Sequence, residues 1–215
     1  MARSFGATLC LLMLVSCGRN NTQPQSNGTR REAANQSART RAFISFSQKS
    51  KDELKNYQVR LQTSLGDITL EFLPEVAPEH VRNFLRLCQM GFYDHTAWHR
   101  VVRNFVIQGG DMGNRNPPLQ MAEASGIRRL QPEFSKLKHV EGIVSMARGD
   151  ALDSAETSFF ICLAPQPVLD NKYTIFGKGV SGMDVVAKIS NVPLEGSKPR
   201  ERVEVIGTEI LEVAR

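Results

Sequence analysis

Between Trp98 and Asp111 the chain reads W-H-R-V-V-R-N-F-V-I-Q-G-G-D. Val101, Val102, Val106 and Ile107 give this run strand character, and Gly109-Gly110 ends it in a turn. An apolar strand that carries a cation restricts the possible folds sharply. Arg100 and Gln108 have an even separation, so a single strand puts both on one face. Arginine is seldom fully buried unless paired. Either this face lies open to solvent, or the guanidinium serves a site.

The sequence on either side supplies more strands. Val59, Leu61 and Thr63 alternate with polar residues, and so do Ile68, Leu70 and Phe72. Ser64-Leu65-Gly66-Asp67 joins them into a hairpin, with Gly66 where a positive φ is needed. Pro78 suits the first turn of a helix. Val81, Phe84, Leu85 and Cys88 follow helical spacing, and Gly91 can terminate the helix. Ile143–Met146, Phe159–Leu163, Tyr173–Phe176 and Val203–Leu211 read as further strands, the last with a bulge at Gly207. Gly177–Gly182 reads as a loop, and Met183, Val185, Val186 and Ile189 as a second short helix. Met112–Pro132 is a long irregular segment, of the kind that is usually functional or mobile. About eight short strands and two helices predict a mainly β protein, an antiparallel barrel or sandwich whose ends the helices could plug.

The first residues form a targeting segment. Arg3 supplies positive charge, and Phe5–Val15 is almost wholly apolar but too short for an ordinary membrane span. Leu14-Val15-Ser16-Cys17 resembles the lipobox of bacterial lipoproteins, in which the Cys is lipidated and becomes the first mature residue. Residues 1–17 are thus expected to be a lipoprotein signal peptide ending at Cys17. Gly18 rather than Asp after the Cys implies, by the same resemblance, outer-membrane retention. Residues 18–56 begin with a polar, Asn/Gln/Ser-rich stretch that cannot bury enough apolar surface to fold, and are expected to be a flexible tether. Within them, Lys51–Asn56 could form a short helix, and Phe43, Ile44 and Phe46 could dock on the folded domain, 57–215.

Several chemistries find no support. A formal charge of +5 spread along 215 residues, without an RNA-binding or zinc-finger pattern, predicts no nucleic-acid partner. The mature chain keeps Cys88 and Cys162, each in an apolar run, so two buried free thiols are expected rather than a disulfide. His95 and His99 stand four apart, but an extended chain separates such residues by roughly 13 Å, too far to share a metal. His80 and His139 read as surface or capping residues. Gly177–Gly182 matches G-x-G-x-x-G, yet the 33 residues after Gly182 are too few to complete a doubly wound sheet. Asp150, Asp153 and Glu156 read as a solvated loop. No sequence around Ser145 or Ser154 nominates a nucleophile. No metal and no cofactor are expected. What remains is an apolar set on separate strands, Phe105, Val106, Phe160, Leu169 and Tyr173, with Arg100 as its one strong donor.

Four motifs in order carry a resemblance. They are H-R-V-V-x-x-F-V-I-Q-G-G-D at His99–Asp111, G-I-V-S-M-A-R at Gly142–Arg148, S-F-F-I-C at Ser158–Cys162 and L-D-N-K-Y-T-I-F-G at Leu169–Gly177. From Tyr57 to Val213 the chain resembles the cyclophilin-type peptidyl-prolyl cis-trans isomerases. The resemblance implies a closed eight-stranded antiparallel β-barrel capped by two α-helices. It implies that Arg100 is catalytic, with Phe105 and Gln108 beside it, and that Phe105, Val106, Phe160 and Leu169 line a proline pocket. Gln108 and the main chain around Ala147 and Arg148 would contact the substrate backbone. Tyr173 takes a position that is often His in eukaryotic members. Val168 stands where many of these have a Trp that favours cyclosporin. Ser158 replaces a common Gln, and the Met112–Pro132 loop lacks the usual Gly-Thr-Gly-Gly. The expected function is rotation of X-Pro bonds in exported or envelope polypeptides. The protein would be a monomer, lipid-anchored in a bacterial envelope and facing the periplasm. A second reading is a catalytically weak proline-peptide-binding chaperone module. An envelope structural lipoprotein is a third, which no repeat or long helix supports.

Overall fold

The computed structural model of the chain describes residues 46–120, 124 and 126–213. Cys17 and residues 18–45 lie outside the described residues. Within the range 18–56, Phe46–Gln48 form a 3-10 turn and Lys51–Leu54 a short helix, α1. A capping box starts α1: the Glu53 N–H donates to Ser50 Oγ, and the Ser50 N–H donates to the Glu53 carboxylate. Phe46 and Leu54 are buried, and Phe46 meets Tyr57 edge-on at 5.1 Å. Residues 46–56 therefore belong to the folded body rather than to a tether, because two apolar side chains there reach the core.

The body is built on a hairpin. β1 (Tyr57–Thr63) and β2 (Gly66–Phe72) bury alternate residues, Val59, Leu61 and Thr63 on one strand and Ile68, Leu70 and Phe72 on the other. A 12-residue helix, α2 (Pro78–Gln89), follows. It ends at Gly91, where the Gly91 N–H donates to Cys88 O and the Phe92 N–H to Leu87 O. Next come β3 (Thr96–Ala97), β4 (Arg100–Val102), β5 (Val106–Gly109), β6 (Ile143–Met146), β7 (Phe159–Cys162) and β8 (Ile175–Ser181). α3 (Met183–Ser190), a small ribbon of β9 (Leu194–Glu195) and β10 (Lys198–Pro199), and β11 (Glu204–Glu212) complete the chain.

The fold is mainly β: one curled nine-stranded antiparallel sheet in the order β3-β11-β1-β2-β8-β6-β7-β5-β4. Its two edges, β3 and β4, are not paired with each other, so the ladders among the described residues do not make a closed eight-stranded barrel. The edges are instead neighbours along the chain. Trp98 N–H donates to Val203 O on the β11 side, and His99 N–H donates to Gln108 on the β5 side. α2 packs against β8 and β11, and α3 against β2, β4 and β5. No helix among the described residues is long and apolar enough to cross a membrane.

Three local expectations change. Trp98–Asp111 is a hairpin rather than one strand, with a turn at Arg103–Phe105 that Asn104 enters at φ 59°. Gly177–Gly182 is mostly strand, because β8 continues to Ser181 against β2 and β6. The bulge in β11 falls at Ile206: Gln62 pairs with Gly207 and Thr63 with Val205. Cys88 and Cys162 are buried free thiols, as their apolar settings imply.

Candidate active site

The site lies on the outer face of the sheet, and strand period explains how. Ile107, Phe159 and Ile161 point into the main core, together with Val101 and Trp98. Their neighbours Val106, Phe160 and Cys162 point the other way and, with Leu169, form a second apolar cluster. Every residue of β7 is buried because both faces are covered. That is why F-F-I-C reads as one continuous apolar run. Phe105, Ala147 and Tyr173 pack against the second cluster.

Arg100 enters this face from β4. It pairs directly across the ladder with Gln108, and Val102 pairs with Val106. The two polar residues thus share a face as cross-strand partners, not as positions along one strand. The Arg100 guanidinium donates to Gln108 Oε1 at 3.4 Å and lies 6.0 Å from the centre of the Phe105 ring. It is half-buried, and among the described residues it makes no other hydrogen bond. The rest of its five-donor fork is available to a ligand.

Arg100, Phe105, Val106, Gln108, Ala147, Arg148, Phe160, Leu169 and Tyr173 line one groove of about 270 Å³. All nine groove residues named from the sequence are brought together; Cys17 lies outside the described residues. A second depression of about 270 Å³ shares Gln108, Ala147 and Arg148 and reaches Ser158, Met112 and Ile127. The irregular segment after Asp111 thus borders the groove.

The frame behind the groove is stiff. Trp98, 1 % exposed, packs edge-on to Phe159 at 5.6 Å and crowds Gly109, where a Cβ would lie 3.1 Å from its ring. Gly110 adopts φ +76°, and a Cβ there would meet Thr157 O at 2.7 Å. Tyr93 Oη donates to Thr157 O, and Asn83 Nδ2 donates to Glu156 O. Both bonds hold the approach to β7 and hence the position of Phe160. Val168, next to the groove residue Leu169 in sequence, is 61 % exposed.

Charge is arranged simply. Burial pushes the His99 imidazole below its ordinary value, with Asp111 pulling it back. His95 takes φ 61°, and its ring meets Glu204. Arg148 turns to the carbonyls of Lys172, Gly149 and Asp150 and stacks over Tyr173 at 5.1 Å.

The sequence read His80 and His139 as surface or capping residues; they are not at the surface, being 0 % and 2 % exposed. His80 contacts Glu133, and His139 contacts Asp170 and Ser145. Those carboxylates lie 53 and 31 residues away, so no local pattern announces them.

The family described as "Cyclophilin type peptidyl-prolyl cis-trans isomerase/CLD" matches residues 58–210. The chain belongs to this family. A Dictyostelium discoideum relative, "Peptidyl-prolyl cis-trans isomerase cypE", is 41% identical over 151 residues, 69% of this chain and 94% of the relative. A Brucella abortus protein, "Probable peptidyl-prolyl cis-trans isomerase", is 41% identical over 137 residues, 61% of this chain and 70% of that one. A solved cyclophilin-type isomerase from Cryptosporidium parvum superposes with a TM-score of 0.64 at 29% identity, covering 73% of this chain and 98% of its own. That protein was also solved in the presence of the dipeptide Ala-Pro. The chain is a peptidyl-prolyl cis-trans isomerase.

Proposed function

We propose that the isomerase turns X-Pro bonds in this groove by stabilising the twisted amide with Arg100. The barrier to be lowered is resonance, about 18–20 kcal/mol for a peptide bond. Cis and trans X-Pro forms are close in energy, yet they exchange over tens to hundreds of seconds. As the bond twists, resonance is lost and the proline nitrogen regains a lone pair. A guanidinium N–H aimed at that nitrogen forms a hydrogen bond that is strong only in the twisted state, which is differential transition-state binding. The wall of Val106, Phe160 and Leu169 holds the proline ring, and Phe105 closes it beside Arg100. Gln108 steadies the guanidinium and presents its amide to the substrate backbone. Ala147 and Arg148 form the opposite edge, where the chain before the proline would lie. No nucleophile, metal or cofactor is required by this step.

The observation that carries the reading is a half-buried arginine placed at the edge of an apolar pocket with most of its donors free. Loss of one preorganised donor costs on the order of a hundredfold to a thousandfold in rate. Arg100→Ala is expected to lose this much in kcat/KM on an X-Pro peptide in a protease-coupled assay, with an unchanged circular dichroism spectrum. Arg100→Lys should recover little, since an ammonium lacks the planar fork. Unchanged turnover in Arg100→Ala would refute the mechanism and favour a groove that only binds proline peptides.

The physiological substrates proposed are exported polypeptides. The enzyme would act as a monomer tethered through lipid on Cys17 to the outer membrane of a bacterium, facing the periplasm. The lipobox-like Leu14–Cys17 and the polar stretch that follows support this location. A radioactive fatty acid fed to expressing cells should label the full chain and miss Cys17→Ser. Equal labelling of both would remove the anchor from the proposal.

A further inference from the structure

Behind the floor of the groove lies a buried polar cluster that the step above does not use. Phe160 meets Tyr173 edge-on, with ring centroids 5.6 Å apart, and stacks on the His139 imidazole at 6.2 Å and 21°. His139 Nδ1 lies 3.0 Å from Asp170 Oδ1, and the same oxygen accepts the His139 backbone N–H at 3.0 Å. On the far side of the ring, Nε2 lies 3.0 Å from Ser145 Oγ. Ser145 is fully buried and pairs directly with Phe160 across the β6–β7 ladder. Asp170 follows the groove residue Leu169, and its other oxygen meets Lys138 Nζ at 3.0 Å.

The protons can be assigned. Hydrogen bonds from the His139 backbone and ring, and then from Lys138, hold the Asp170 carboxyl at about 2, so it is ionised and only accepts. Nδ1 of neutral His139 therefore carries the hydrogen, and Nε2 accepts from the Ser145 hydroxyl. A Ser-His-Asp line can serve nucleophilic catalysis. Here the hydroxyl is sealed from solvent, so no substrate carbonyl reaches it. What the line does is fix the plane of an imidazole at both nitrogens, and the imidazole in turn backs Phe160.

We propose that Asp170 and His139 form a positioning relay for Phe160, holding the ring where it receives the substrate proline, and that protonation of His139 at Nε2 breaks the relay. The proposal rests on the reading of the groove as the isomerase site. Once Nε2 carries a hydrogen it must donate. The buried Ser145 hydroxyl has to reverse and find a new acceptor. Burial lowers the affinity of His139 for a proton, and Asp170 opposes this without cancelling it. The other ionisable groups around the cluster are Lys138, paired to Asp170, Tyr173 against Phe160 with Arg148 stacked over it, and Cys162 on β7, whose thiol burial lifts to about 12 and so leaves neutral. The relay is therefore intact at neutral pH and lost in acid, below the ordinary histidine value of about 6.5.

Two measurements test this. In the first, kcat and KM for an X-Pro peptide are followed from acid to neutral pH in wild type and His139→Gln. Wild type is expected to lose kcat through a single-proton acid limb. His139→Gln should show no such limb, a kcat lower by about tenfold at neutral pH, the scale of a slightly misplaced groove wall, and a KM within about twofold of wild type. In the second, the His139 ring nitrogens and the Phe160 ring protons of wild type are followed by NMR, and both should shift through one midpoint that matches the acid limb. A folded His139→Gln that keeps the wild-type limb overturns the proposal, as does a change confined to KM. So does a Phe160 ring that is indifferent to His139 titration, and this second measurement decides alone if the variant fails to fold. Failure of the site reading itself would look different: wild type would be inactive, or Arg100→Ala fully active, at every pH.

Discussion

Glu133 offers a quantitative test of how the frame is held. α2 starts after Ala77, which has no side-chain oxygen to cap it. The Glu133 carboxylate does this from outside the helix. It accepts the backbone N–H of Glu79 at 3.2 Å and of His80 at 3.0 Å, and the His80 ring Nδ1 at 2.7 Å. Its own N–H donates to Thr174 Oγ1, next to groove residue Tyr173. The perturbation is Glu133→Ala. A missing helix cap costs about 0.5–2 kcal/mol, and a hydrogen bond to a charged group is worth about 1.5–3 kcal/mol. The Glu133 side chain is 18 % exposed, and the three bonds share one carboxylate, so they do not add fully. Together these give about 3 kcal/mol, or about 6–12 °C in Tm for a body of this size. Trp98 is the sole tryptophan and is buried, so its fluorescence reports urea unfolding of the core directly. The effect should also be linked to pH. Burial alone would raise the Glu133 carboxyl, but bonds from the His80 ring, the His80 N–H and the Glu79 N–H outweigh it and leave the group below its ordinary value. A depressed carboxyl stabilises the fold above its unfolded pKa of about 4.3, and that contribution disappears as pH falls through the lower folded value. Wild type and Glu133→Ala should therefore differ most near neutrality and converge in acid. A loss below about 0.5 kcal/mol at pH 7, the scale of an ordinary surface substitution, would refute the capping account.

Two further outcomes are expected. Gly182→Ala should destabilise strongly, by about 3 kcal/mol or more, since Gly182 sits at φ +79° and a Cβ there would lie 2.1 Å from Asp67 O; thermal unfolding checks this, and a Tm within a few degrees of wild type would contradict it. Burial raises Cys88 well above the usual thiol range and Cys162 to about 12, so neither is expected to react with a thiol reagent at pH 8 until denaturant is added; rapid native-state labelling would show that these sites open.

The groove was legible in the sequence to an unusual degree, and its misreadings are instructive. Arg100 and Gln108 were correctly put on one face by the parity of their separation, but they reach it as cross-strand partners after a turn at Arg103–Phe105. An even spacing is compatible with both arrangements. Phe46 and Leu54 joined the core although the segment before them is polar, since burial depends on what a side chain can reach and not on its neighbours in sequence.

By itself the sequence determined what acts over a few residues. The two-residue period set the faces of β1 and β2; Gly66 and Gly91 set turn and helix end; and the resemblance carried by four ordered motifs pointed to the groove residues. Only the tertiary structure decided what depends on pairing. It brought Glu133 to the start of α2 across 53 residues, joined His139 to Asp170 across 31, and buried Ser145 behind Phe160. Strand period and turn chemistry are properties of the local backbone. A buried polar group, by contrast, is tolerated only where the fold supplies its partner, and no local stretch of sequence contains that information.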